Sequence, residues 1–192
     1  MAQYTLRKPT FDIPSAADFR KEWPHIADDG LQKIVSYEMQ SFQFHRELIA
    51  RLHTRRYDDY RKKYQIQPLD FTLRAGLAKS VVSSGVAILE AVLRDYGIQK
   101  SYIPNNPAKR LTFGKILNKW LDSGDIEKAP VPKPYIATHF PALKSIWESR
   151  NDIHLHKSVS TPKKFYEDVI PRTEAEIEAL LAIMEFLKKN KP

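Results

Sequence analysis

Arg150, Asn151, His154 and His156 fall within one short stretch of the chain, and together they are the groups that bind and process a phosphodiester. A guanidinium can grip two phosphate oxygens at once. A neutral imidazole can take a proton near neutral pH and give it back, and the amide of Asn151 can orient what they hold. Leu143, Ile146, Trp147 and Ile153 recur around these residues at spacings of three, four and seven. That spacing predicts a helix over 143–157 with one face turned toward a core. Arg150 lies in the same stripe. Burying its charge unpaired costs several kcal/mol, so it needs a carboxylate or an anionic ligand. The plainer alternative is a core ion pair beside two surface histidines.

The elements that must hold this stretch read as helices. With 192 residues, six glycines and long runs free of proline, the chain is one ordinary all-α domain able to bury a proper core. We expect a bundle of four to five main helices (31–192) with an N-terminal arm (1–30). The arm carries Pro9, Pro14 and Pro24 with Phe11, Phe19 and Trp23, and Ser15 to Asp18 can cap a short helix. From 31 to 64 there is neither glycine nor proline. Ile34, Ser41, Leu48 and Leu52 give a helical stripe there that weakens beyond Arg55. A turn over 65–70 then leads to a second helix over 71–100. It has two apolar stripes, Leu73, Leu77, Val81, Ile88 and Val92 on one side and Val82, Val86, Leu89 and Leu93 on the other, which predicts a central position. Ser80, Ser83, Ser84 and Gly85 leave room for a neighbour to approach. Glu90 stands between the two stripes, either as a flank charge in water or as the partner of Arg150.

A short helix over 113–121 follows a loop at 102–110, and the proline-rich 129–135 reads as an extended connector. After the key helix, 158–172 reads as exposed loop. Thr173 to Glu176 reads as a capping box that opens a last helix, with Ile177, Leu180, Leu181, Met184 and Leu187 on its buried face. No internal repeat is present.

The net charge of +8 favours an anionic partner, nucleic acid before membrane. Between His45 and Tyr64 seven cations stand against three carboxylates, and Tyr57, Tyr60 and Tyr64 are interleaved with them. On a helix, Arg55, Arg56, Tyr57, Tyr60, Arg61 and Lys62 would offer rings and charges to unpaired bases; equally, such a row can be a core edge with a solvated face. The chain has no cysteine, which removes disulfides and thiolate metal sites and fits a reducing compartment. No signal-peptide pattern opens it and no run approaches the length of a membrane span, so we expect a cytoplasmic protein without a membrane. His154, His156 and His139 could supply nitrogen ligands, but a His-x-His pair alone is a weak metal signal. There is neither a Gly-rich phosphate loop nor a nucleophile elbow. We expect no metal and no cofactor.

Arg150-Asn151-Asp-Ile-His-Leu-His156 resembles the signature of the HEPN superfamily: an Arg, a polar residue that is commonly Asn, and a His a few residues on. These small helical domains are widespread in prokaryotic toxin–antitoxin, abortive-infection and related defence systems. His154 follows Arg150 too closely for the pattern, so the resemblance assigns the catalytic histidine to His156 and keeps His154 in reserve. The order of elements over about 71–190 is similar as well, from a central helix bearing Glu90, through a short helix closing near Gly124, into the motif helix. The resemblance implies metal-independent cleavage of RNA by 2′-OH attack, without a cofactor. It also allows an inactive, nucleic-acid-binding or scaffold module, since some members have lost activity. An unrelated helical interaction protein is the third reading.

Geometry adds an expectation about assembly. On a continuous helix, residues six apart point about 120° away from each other with a rise of about 9 Å. Arg150 and His156 of one chain would then diverge, while Arg150 and His154 would share a face. Two copies of the motif helix meeting across a two-fold axis place two arginines and two histidines around one cleft, as the resemblance also implies. We therefore expect a homodimer, with an antitoxin or another defence protein as a further partner; a break in the helix near Asn151 would let a monomer do the same.

Overall fold

In the computed structural model the described residues are 3–6, 10, 12–106, 111–122, 136–152 and 162–192. Among them are six α-helices and a small three-stranded sheet, in the order β1 (Gln3–Leu6), α1 (Ala16–Lys21), α2 (Asp29–Arg51), β2 (Leu52–Asp58), β3 (Lys63–Pro68), α3 (Phe71–Gln99), α4 (Phe113–Asp122), α5 (Phe140–Asp152) and α6 (Pro162–Lys189). The architecture is a helical bundle with an N-terminal arm, as composition and periodicity predict.

Helix α3 is the centre of it and packs against α2, α4, α5 and α6. Its apolar residues come on two sides because it has neighbours on two sides: Val81, Val82, Val86, Ile88, Leu89, Val92 and Leu93 are all buried. Each such side chain contributes roughly 1.5–3 kcal/mol relative to exposure. Leu73, assigned to the same stripe from spacing, is 42% exposed because it sits in the first turn, at the rim of the bundle. Of Ser80, Ser83, Ser84 and Gly85 on α3, Gly85 is the buried one. A Cβ there would stand 2.8 Å from Leu180 and 3.1 Å from Phe42, so α2 and α6 both close on it. By length and composition α3 could cross a membrane, contrary to the expectation that no run comes near a span. Half of its most apolar stretch is buried inside the bundle.

Tyr96 and Trp120 bring polar groups into this core with partners, whereas the buried Trp23 indole N–H has none among the described residues. The Tyr96 hydroxyl donates to the Leu187 carbonyl at 2.9 Å, and burial holds its ionisation far above the ordinary tyrosine value. The Trp120 indole N–H donates to the Leu93 carbonyl at 3.1 Å. The arm packs as expected. Ser15 and Asp18 form the capping box of α1, and Phe19, Trp23 and Ile26 are buried in the core. The arm is tied down by the Asp95 carboxylate, which accepts from the Ala27 N–H at 3.0 Å.

Three expectations are corrected. The first long helix does not reach residue 64: α2 ends at Arg51, and the chain turns into an antiparallel ribbon, β2 and β3, that β1 extends in the order β1-β2-β3. The segment 65–70, read as a turn, is mostly β3. The last helix does not begin at a capping box, because α6 starts at Pro162, and the first helical position suits proline. Thr173 and Glu176 therefore lie inside α6 and are 2% and 5% exposed. They are buried polar residues of the helix interior, and the segment from 162 to 172 is helix where loop was expected. The proline-rich connector at 129–135 lies outside the described residues.

Candidate functional site

Helix α5 is built as the periodicity requires. Leu143 and Ile146 are buried, and Trp147 is half-buried against the same core. The close approach is made possible by Gly114 in the first turn of α4: a Cβ there would come within 2.6 Å of the indole ring. This contact sets where α5 lies, and Arg150 and Asn151 follow in its last turn. Their side chains, and both His154 and His156, lie outside the described residues, so the candidate site is defined here by the helix that carries its first half.

His139 is placed at the other end of that helix, in the 3₁₀ turn Ala137–His139 that leads into α5. Its ring packs on Phe186 with centroids 4.7 Å apart, and burial pushes its imidazole below the ordinary value. It stands at the opposite end of α5 from Arg150. Among the described residues no three His, Asp or Glu side chains are grouped to hold a metal ion.

Glu90, the proposed partner of Arg150, lines a cleft of about 530 Å³ between the start of α2 and the middle of α3, with Asp28, Leu31, Arg94, Asp95 and Asn105. Arg94 lies one turn further along the same face. Asp95 at its floor is fixed by the Ala27 N–H and by the Gln99 amide at 2.6 Å. Glu90 is thus half-buried among polar groups, with a cation of its own helix nearby.

The residues assigned to nucleic-acid contact from a helical row occupy a β-ribbon instead. Arg55, Arg56 and Tyr57 are in β2, paired with Ile66, Gln65 and Tyr64 of β3. Tyr60, Arg61 and Lys62 form the turn between the strands. The Asp58 carboxylate holds this turn by accepting from the backbone N–H groups of Tyr60 and Arg61, both at 3.0 Å. Lys62 takes the left-handed conformation (φ 50°). The Arg55 guanidinium lies 4.0 Å from the centre of the Tyr64 ring, a cation–π contact, and Tyr60 is 95% exposed. Tyr57 and Tyr64, one row in a helix, are cross-strand partners here. Ile66, 60% exposed beside Arg55, was missed from the sequence. The alternation Lys63, Tyr64, Gln65, Ile66, Gln67 is the period-2 signal that marks it.

No family model, no characterised protein and no solved structure matches the chain. The HEPN resemblance accordingly rests on the Arg150–His156 motif and its helical setting.

Proposed function

We propose that the chain is a metal-independent endoribonuclease of HEPN type, acting in the cytoplasm as a toxin or defence component. The observation that carries the proposal is the position of Arg150-Asn151 in the last turn of a helix that Leu143, Ile146 and Trp147 pack into the bundle. A rigid helix gives a guanidinium a fixed address, as transition-state stabilisation needs. In the proposed reaction His156, with His154 in reserve, takes the proton of a ribose 2′-OH. The 2′ oxygen bonds to the adjacent phosphorus while Arg150 neutralises the crowded non-bridging oxygens. The bond from phosphorus to the 5′ oxygen breaks, that oxygen leaves with a proton, and a 2′,3′-cyclic phosphate remains. Asn151 orients the phosphate, and Glu90 is the proposed carboxylate behind Arg150. The working unit is a homodimer that brings two motifs together, held in check by an antitoxin or another defence protein.

A second reading, an inactive RNA-binding or regulatory module, is favoured by the exposed Arg55–Tyr64 pair and the basic ribbon around it. The two separate in one assay. Single-stranded RNA is incubated with the protein in EDTA, beside Arg150→Ala, His156→Ala and His154→Ala. The enzyme cuts in EDTA, and loss of Arg150 or His156 abolishes cutting. Binding without cutting by the unmodified chain selects the second reading. An inactive His154→Ala with an active His156→Ala exchanges the two histidines.

A further inference from the structure

We infer that the exposed face of the β2–β3 ribbon is a stacking platform for unpaired RNA bases, so that the chain takes single-stranded rather than duplex RNA. The inference deepens the RNA reading and takes from it only the identity of the polymer. It rests on four features. Arg55 sits 4.0 Å over the Tyr64 ring with both side chains exposed, which gives solvent a delocalised cation backed by an aromatic ring. Ile66 is opposite Arg55 in the register and two residues from Tyr64, so it continues the same face, 60% exposed. Tyr60 projects from the turn, 95% exposed, with Arg61 and Lys62 beside it. Finally, residues 51–68 carry six cations against two carboxylates.

That mixture selects the occupant. A protein-docking surface is depleted of charge at its centre, whereas here the exposed rings alternate with cations. Rings stack on bases of any sequence, and cations between them track the phosphates. A duplex hides its base faces in its own stack, and its A-form major groove is too narrow and deep for side chains to read. A ribbon that offers flat apolar groups therefore favours a strand whose bases are free.

The test is a binding experiment with the full chain carrying Arg150→Ala, so that RNA stays intact. Fluorescein-labelled oligouridine and a duplex RNA of the same length are titrated and read by anisotropy. The platform predicts tighter binding of the single strand and a loss of about tenfold for Tyr64→Leu. Tyr64→Phe, which keeps the ring, should bind as the parent does, and Arg55→Gln should bind several-fold more weakly. Circular dichroism checks the fold. Tyr60→Ser, at a tip with almost no packing, repeats the comparison if Tyr64→Leu is unfolded. Unchanged affinity in Tyr64→Leu and Tyr60→Ser, equal losses on duplex and single strand, or no RNA binding by the parent would each overturn the platform. A drop in solution mass with RNA affinity unchanged would mark the ribbon as a protein contact instead. Failure here is distinguishable from failure of the enzymatic reading. Single-strand binding without cutting by the unmodified chain refutes the enzyme and leaves the platform. Cutting with full affinity in Tyr64→Leu does the reverse.

Discussion

Replacing Gly114 with alanine should loosen the motif helix from a distance. Gly114 lies in the first turn of α4, where alanine ordinarily helps a helix by up to about 1 kcal/mol. The added Cβ would meet the Trp147 indole at 2.6 and 2.8 Å. Ordinary carbon–carbon contact begins near 3.5 Å, so ring and helix must separate by roughly 0.9 Å. The clash is with a stiff, half-buried bicyclic ring, and overpacking of this kind costs about 1–3 kcal/mol. The balance is a net loss of up to about 2 kcal/mol, or up to about 8 °C in Tm for a chain of this size. Arg150 lies three residues beyond Trp147, so a shift of α5 carries the guanidinium with it. Misplacement by about 1 Å can cost on the order of 100-fold in rate. RNA cleavage should therefore fall by much more than the unfolded fraction explains. Urea unfolding of Gly114→Ala, Trp147→Leu and the double variant measures the contact directly. The smaller leucine should recover most of the alanine penalty, a coupling of about 0.5–3 kcal/mol. A Gly114→Ala protein that is more stable than its parent, with undiminished cleavage, would refute the reasoning.

Three further outcomes follow from the packing and the assembly. His139 takes up a proton less readily in the folded chain than its ordinary value of 6.5, so the unfolded chain protonates first as pH falls. Its contribution is intact above about pH 6.5 and is lost below it until the lowered folded value is passed. In His139→Phe, which keeps a ring on Phe186, urea midpoints between about pH 8 and pH 5.5 should fall less than in the parent. Glu185, whose carboxyl is held low first by its hydrogen bond from Lys188, loses its contribution only at more acid pH, below its ordinary 4.5, so the two windows separate. Tyr96→Phe strips the Leu187 carbonyl of a buried donor and should cost roughly 1–3 kcal/mol in the same unfolding assay. Light scattering should give the mass of a dimer, and titrating inactive Arg150→Ala chains into the parent should lower activity per active chain. A monomeric mass with unchanged specific activity would rule out a shared site.

What could be read from the sequence is the part governed by a long, uniform period. Helix α3 was legible because its apolar residues repeat over about five turns on one side and about three on the other, and α4 and α5 because Phe113–Trp120 and Leu143–Trp147 keep one face. The ribbon was not legible for a local reason. Its turn lacks the glycine or asparagine that usually announces a hairpin. It is made by an aspartate carboxylate folding back on the chain, with Lys62 in a conformation that lysine seldom adopts. The tyrosines at spacings of three and four fit a helix by coincidence, and the period-2 pattern of 63–67 was too short to compete. At α6 the two prolines, Pro162 and Pro171, read as loop, because proline inside a helix removes a hydrogen bond. Thr173 and Glu176 then imitated a cap at the proper spacing while being buried in the helix interior. For the proposed site, the motif singles out Arg150 and Asn151, and the structure puts both in the last turn of α5. Glu90 lines a cleft that also holds Arg94, a placement that its position between two apolar stripes did not reveal.

The central claim is attack by a ribose 2′-OH under Arg150 and His156. It is tested most directly with three strands of one sequence: RNA, DNA, and RNA carrying a single 2′-deoxy nucleotide at the position cut. Each is incubated with the protein in EDTA, and the ends are read by mass spectrometry. Attack by the 2′-OH predicts that RNA is cut to a 2′,3′-cyclic phosphate end, that DNA stays intact, and that the single deoxy substitution blocks its own position. It further predicts that Arg150→Ala and His156→Ala, folded by circular dichroism, leave all three strands whole. Cutting of DNA, cutting at the deoxy position, or undiminished cutting by Arg150→Ala would contradict it.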